Sequence, residues 1–242
     1  MIIATVVEGP TDRLVLEAIL SRLIPGKHRY LPLQPLIPFG ETGTGWKGVR
    51  KWCWQRWQRT GSDLETLLSS AAGPPIDLLV LHVDADIAFE GDLQDAQDDP
   101  VEDVVQPCPP AEATVESLRQ VILHWLHRTD LPQAVILAIP AQDTESWTFA
   151  ALFPTDPLCL RSDYECICRG AHHPGYRLTL RAYGKLLSRS SGRIKKSEPR
   201  YRKCLPQLVA GWDEACQTCS QAQRFTDSIG ALRGDDPSGK VS

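Results

Sequence analysis

Residues 2–12, Ile-Ile-Ala-Thr-Val-Val-Glu-Gly-Pro-Thr-Asp, constrain the fold more than any other stretch of the chain. Ile2 to Val7 is a short apolar, β-branched run, as expected of a strand covered on both faces. Gly9 allows a tight turn beside Glu8. Pro10 suits the first turn of a helix, where a missing N–H costs nothing. Asp12 then falls in that first turn, one turn of chain from Glu8 and able to face the same point. A second apolar run, Asp77 to Val83, delivers Asp84-Ala85-Asp86 in the same way. Parallel strands ending side by side would bring the four carboxylates Glu8, Asp12, Asp84 and Asp86 to the carboxyl edge of a sheet, where α/β proteins bind ligands. Close carboxylates repel one another unless a cation joins them. The pattern therefore predicts Mg²⁺ or Mn²⁺.

The rest of the first 155 residues alternates strand and helix. A helix is expected from about Thr11 to Leu23, with Leu14, Val15, Ala18, Ile19 and Leu23 as its buried stripe. Tyr30 to Phe39 reads as extended, its three prolines favouring an edge or irregular strand. The Gly-rich segment Gly40–Gly45 lacks the Gly-Lys-Ser/Thr ending of a P-loop and reads as a connector. Trp46 to Gln58 reads as a helix carrying Trp46, Trp52, Trp54 and Trp57 among Lys47, Arg50, Lys51 and Arg56, with Arg59 just beyond. Basic residues interleaved with aromatics can hold single strands by stacking, but tryptophans at helical spacing read first as core. A short helix is expected over 62–70, and an acidic loop from Ile87 to about Pro110. Ala111 to Arg128 reads as a helix with Val115, Leu118, Val121, Ile122 and Trp125 inward. The strand Gln133–Ile139 then leads to Asp143, a helix cap, and Glu145, a further metal-ligand candidate.

This order predicts an α/β fold, a Rossmann-like core with a mostly parallel sheet flanked by helices. Beyond Pro154 the pattern reads as helices without clear strands. The expected organisation is thus a metal-binding core over 1–155 and a smaller, basic helical part over 156–242 packed on it.

Hydrophobic content of 42% and charged content of 23% are ordinary for a globular chain, but the net charge of −4 hides a segregation. Eleven acids and no Lys or Arg lie between Asp84 and Glu116, whereas eleven basic residues and one acid lie between Arg169 and Lys203. An acidic cation site beside a basic region suits a polyanionic substrate. Arg177, Arg181, Lys185, Arg189 and Arg193 recur every four residues, the spacing of one helical row that would bind phosphate backbone. Gly184 and Ser190-Ser191-Gly192 interrupt it. Lys195 and Lys196 could instead reach the metal site and stabilise transition-state charge.

His82, inside an apolar strand, reads as a hydrogen-bonded core histidine. The eight cysteines fit no strong zinc spacing, including Cys216-x-x-Cys219, Cys166-x-Cys168 and the neighbouring His172-His173, and are expected to be thiols. No apolar run reaches the roughly 18 residues of a membrane span. No basic segment precedes the first apolar run, so no signal peptide is expected and the cytoplasm is the expected location.

Glu8-Gly9-x-x-Asp12 at a first strand end, followed by Asp84-x-Asp86 at a later one, resembles the Toprim domain of topoisomerases, primases and OLD-type nucleases. Ser191-Gly192-Arg193-Ile194-Lys195-Lys196 and Tyr201-Arg202-Lys203 are similar to one branch, the small bacterial Toprim-like proteins known as DUF4276, often found near ATPases of the SMC/ABC type. The resemblance implies a Toprim core in which Glu8 is ligand or general acid/base and Asp84 and Asp86 bind divalent cations. A lysine assists in the OLD-type enzymes, a role open to Lys195 or Lys196. The implied activity is Mg²⁺-dependent cleavage of DNA or RNA, with an ATPase partner in defence or repair. Two alternatives stand beside it: a metal-stabilised module that only docks on an ATPase or nucleic acid, and a nucleotidyl or phosphoryl transferase.

Overall fold

A computed structural model of the chain describes residues 1–35, 45–58, 63–69, 74–94, 103–168, 170–190, 193–232 and 234, with backbone alone at Ser190 and Arg193. Residues 40–44 of the Gly-rich segment, Arg59, Arg169, Ser191 and Gly192 lie outside the described residues. Four strands, β1 (Ile2–Val6), β2 (Arg29–Gln34), β3 (Leu78–His82) and β4 (Val135–Ala138), form an all-parallel sheet in the order β2-β1-β3-β4. The helices are α1 (Pro10–Leu23), α2 (Trp46–Gln58), α3 (Leu64–Ser69), α4 (Gly91–Gln94), α5 (Glu112–Trp125), α6 (Thr144–Leu152), α7 (Pro174–Arg177), α8 (Glu198–Ala210), α9 (Trp212–Thr218) and α10 (Ser220–Leu232).

The two interior strands are short apolar runs, and all five residues of β3 are buried. Pro32 lies in β2, at the edge, where a residue without an N–H does least harm to the ladder. Burial on both faces of the sheet requires two helical layers. On one face Leu16 and Ile19 of α1 join Trp147 and Phe149 of α6, Tyr201 and Leu208 of α8, Trp212 of α9 and Phe225 of α10. Trp147 meets Trp212 edge-on at 5.6 Å and stacks on Phe225 at 6.0 Å. On the other face Trp46 and Val49 of α2 join Leu118, Ile122 and Trp125 of α5. Residues beyond 155 therefore complete the first of these layers rather than building a core of their own. Among the described residues no helix is long and apolar enough to cross a membrane.

Two expectations about the C-terminal part are corrected. It is not purely helical, because β5 (Leu187–Ser190) and β6 (Arg193–Lys196) pair as an antiparallel hairpin. Nor do Arg177, Arg181, Lys185, Arg189 and Arg193 follow one helical row. Arg177 closes the one-turn α7, Arg181 opens a 3₁₀ turn, and Arg189 and Arg193 lie in opposite strands of the hairpin. Between them Gly184 and Lys185 both take left-handed backbone, with φ of 76° and 52°, which no helix continues through.

The expectation of thiols throughout is also corrected. Cys108 and Cys166, 58 residues apart, are joined with their Cα atoms 5.6 Å apart, and this bond excludes Cys166 from any zinc set. The other six cysteines are free. Thiol titration of denatured, unreduced protein is expected to find six groups, and eight after reduction. Eight before reduction would mean that this bond does not form.

Candidate active site at the carboxyl edge of the sheet

In the order β2-β1-β3-β4 the chain direction of winding reverses between β1 and β3, and a crevice opens beyond the strand ends at such a switch point. Ile3 pairs with Leu78 and Val6 with Leu81, so the residues just past each strand end also come together. There the Asp84 N–H donates to Glu8 Oε1 at 2.8 Å. Asp84 is still extended, and the chain turns at Ala85 into a 3₁₀ turn over Ala85–Phe89. That turn lies between the two aspartates, as their facing one point requires. The Asp86 N–H donates to the Gln142 carbonyl at 2.9 Å, tying the turn to the segment after β4.

Gly9 owes its place to a neighbour rather than to its backbone. Its φ of −147° is open to any residue, but a Cβ there would stand 3.0 Å from Asp12 Oδ2. Glycine lets the Asp12 carboxylate lie against the turn, which links the three residues of Glu-Gly-x-x-Asp.

Asp84 is nearly buried, and its Oδ1 accepts from the Thr144 N–H at 3.0 Å, the Thr144 hydroxyl at 3.1 Å and His82 Nε2 at 3.0 Å. His82 is wholly buried, and among the described residues its Nδ1 has no partner. Asp143 caps α6, accepting from the Ser146 N–H at 2.9 Å and hydroxyl at 2.8 Å, with His173 Nε2 3.6 Å from its other oxygen. Glu145, in the first turn of α6, accepts from the Tyr201 hydroxyl at 2.7 Å.

Lys196 reaches this cluster from the hairpin. Its Nζ lies 2.7 Å from Asp12 Oδ1 and 2.9 Å from Glu145 Oε1. Side chains alternate faces along a strand, so Lys195 points away and is exposed. Thr144 and Tyr201 belong to the constellation although sequence reasoning gave them no part in the site, whereas Asp143 is the helix cap that its position predicts. Thr144 follows a strand end, a usable signal; nothing in the spacing of Tyr201 points to Glu145.

Six carboxyls, those of Glu8, Asp12, Asp84, Asp86, Asp143 and Glu145, here face His82 and Lys196, while burial pushes the third basic group, His173, down to about 4. Burial, and then the charge of Asp84, holds the Glu8 carboxyl well above its ordinary range. Burial and the charges of Glu145 and Asp84 do the same to Asp143. Burial raises Glu145 too, against the pull of Lys196. Asp86 is exposed at its surface. The protein mass around it, then Asp84 and Glu145, raises its carboxyl, and solvent screening tempers that rise. Asp84 is lowered: burial opposes its charge, but His82, Lys196 and the Thr144 hydroxyl outweigh burial. Burial also opposes charge on His82, yet Asp84 lifts it to about 9. Lys196 is held well above the ordinary lysine range by Glu145 and Asp12, despite burial.

The surplus of negative charge must be met by protons or by a cation. Among the described residues no three His, Cys, Asp or Glu side chains stand as a closed ligand set, and the ammonium of Lys196 already occupies Asp12 and Glu145. Glu8, Asp84 and Asp86 supply oxygen donors only, the chemistry that suits a hard cation such as Mg²⁺ or Mn²⁺.

Of the basic residues, Arg177 donates to the Tyr183 hydroxyl at 2.8 Å and sits 3.7 Å from Asp156, a tie within the fold. Arg181, Lys185 and Arg189 are exposed, the last with its guanidinium 5.9 Å from the Tyr176 ring. The Arg193 side chain lies outside the described residues. Scans of protein-family profiles, of curated proteins and of solved structures find no match to this chain.

Proposed function

We propose that the chain is a divalent-cation-dependent nuclease, cleaving phosphodiester bonds in DNA or RNA. One observation carries this reading: Glu8 and Asp84 meet across the switch point of a parallel sheet, with Asp86 beside them and Lys196 reaching in. Glu8, Asp84 and Asp86 would hold Mg²⁺ or Mn²⁺, which when bound activates water and stabilises charge on a leaving oxygen. Glu8, raised above the usual carboxylate range, suits proton transfer nearer neutral pH. Asp84 is held in place as a cation ligand by Thr144 and His82. Lys196, steadied by Asp12 and Glu145, offers fixed positive charge to the phosphoryl oxygens. Arg181, Lys185 and Arg189 add exposed positive charge for backbone phosphates. The resemblance adds an SMC/ABC-type ATPase as partner.

The test incubates purified protein with labelled DNA and RNA, each single- and double-stranded, in Mg²⁺, Mn²⁺ or chelator, with and without such an ATPase. Cleavage is expected with either cation and none in chelator, and Glu8→Gln is expected to abolish it. Absence of cleavage under every condition refutes the reading; products that need an added nucleotide would point to nucleotidyl transfer.

One observation favours a second reading, a docking module without catalysis. Lys196 and Tyr201 tie Asp12 and Glu145 to the C-terminal elements, so the cluster also holds the fold together. This reading expects partner or nucleic-acid binding that survives Glu8→Gln, with no cleavage by wild type.

A further inference from the structure

We propose that the outer face of α2 is a binding platform for single-stranded nucleic acid that leads toward the carboxylate crevice. It rests on the nuclease reading for where the strand goes, not for whether it binds.

Lys47, Arg50, Lys51 and Trp54 stand at i, i+3, i+4 and i+7, one stripe along the helix. The opposite stripe, with Trp46, Val49, Trp52 and Cys53, is buried. The core therefore claims Trp46 and Trp52. Trp54 packs against that core along one edge and is only half-buried, while Trp57 is 46% exposed, donates its indole N–H to the Trp125 carbonyl at 3.2 Å and stacks on His127 at 4.8 Å. Part of the Trp54 ring still faces solvent, and the side chains around it give that surface a use.

Charge supplies it. α2 contains four basic residues and no acid. Lys47 stands in its first turn, where the helix dipole is already positive and cations are disfavoured, and Arg50 and Lys51 crowd in behind it. That arrangement costs helix stability and favours a polyanion. The Arg50 guanidinium lies 4.3 Å from the Trp54 ring, giving a layered cation and aromatic surface. Bases stack on such surfaces while neighbouring cations take the phosphates. A duplex keeps its bases stacked inside and cannot use Trp54 in this way.

The stripe borders a cleft of about 460 Å³ lined by Trp46, Lys47, Arg50, Lys51, Trp54 and Asp92. Asp92 pairs with Lys47, but both side chains are exposed, and an exposed pair is weak enough for a phosphate to replace it. Both walls start at the acid-bearing strand ends. The Gly45 N–H, at the head of α2, donates to the Glu8 carbonyl at 2.9 Å. Asp92, in α4, follows directly on the turn that carries Asp86.

The test measures fluorescence anisotropy of labelled single strands of about 12 nucleotides, DNA and RNA, and of a duplex of equal length. It is done in chelator, so cleavage does not enter. Trp54→Ala is expected to weaken single-strand binding roughly tenfold, with Trp54→Phe recovering most of it. Lys51→Glu, at an exposed position, is expected to weaken single strands and flatten the salt dependence. The duplex should be indifferent to Trp54→Ala. Unchanged affinity in both variants, equal losses for duplex and single strand, or no single-strand binding by wild type at tens of micromolar would each overturn the platform. Trp54-dependent binding without any cleavage would overturn the nuclease reading alone. Cleavage indifferent to Trp54→Ala would do the reverse.

Discussion

Lys196→Met is expected to cost about 3 kcal/mol of stability at pH 8, read by urea unfolding in chelator. Asp12 and Glu145 are both almost fully buried, and the ammonium of Lys196 contacts each. Methionine fills a similar volume but leaves two carboxylates facing each other without a counter-charge. The low end of the range for breaking a buried pair applies, because the lysine side chain keeps 29% of its surface in solvent. The pH dependence carries a definite sign. In wild type the Lys196 pKa is raised on folding, so its contribution is complete below the ordinary lysine range and is lost only as pH climbs above it. In the variant the folded-state pKa of Glu145, already raised by burial, loses its main opposing influence. Folded protein then takes up a proton more readily than unfolded protein, so the variant gains stability as pH falls toward the unfolded Glu pKa. The gap to wild type should therefore be widest at pH 8 and narrower near pH 5. A gap of the same size at both pH values would mean that Lys196 does not neutralise this pair.

The site was legible where a signal runs along the chain, and obscure where it depends on what packs across. Strand apolarity and the position of each acid at a strand end were enough to bring Glu8 to Asp84, because parallel neighbours bring their ends to one edge. Asp143 could be read as a cap from its place before Thr144-Glu145. The bounds of α2 matched the Trp46–Gln58 pattern, and burial of Trp46 and Trp52 matched the ordinary meaning of tryptophan on a helix. The hairpin was hidden because its two strands are four residues each and mostly polar. A four-residue spacing of basic residues then mimicked a helix that Gly184 and Lys185 forbid. Missing the hairpin also left Lys195 and Lys196 equivalent, whereas strand alternation separates them. The Cys108–Cys166 bond and the Tyr201–Glu145 hydrogen bond join residues 58 and 56 positions apart, and no local pattern announces contacts of that kind.

Asp86→Asn is expected to lower cleavage by about 100-fold or more while leaving the protein as stable as wild type in chelator. Asp84 and Asp86 look alike in sequence, but their surroundings give them different tasks. The Asp84 carboxylate accepts three hydrogen bonds and pairs with a wholly buried histidine. Asp84→Asn would leave His82 without its counter-ion, so lost activity there would be mixed with a stability loss of about 3 kcal/mol. Asp86 is exposed, and the charges of Asp84 and Glu145 work against its own. Removing that charge relieves repulsion, so the apo variant should melt no lower than wild type. A ligand that binds only the folded state raises its melting temperature, by about 1.4 kcal/mol of stability at tenfold excess over Kd. Wild type should show such a rise with millimolar Mg²⁺, and Asp86→Asn should lose it together with its activity. A variant that keeps both the rise and full cleavage would remove Asp86 from the cation site. One that keeps the rise but loses cleavage would assign Asp86 to the substrate instead.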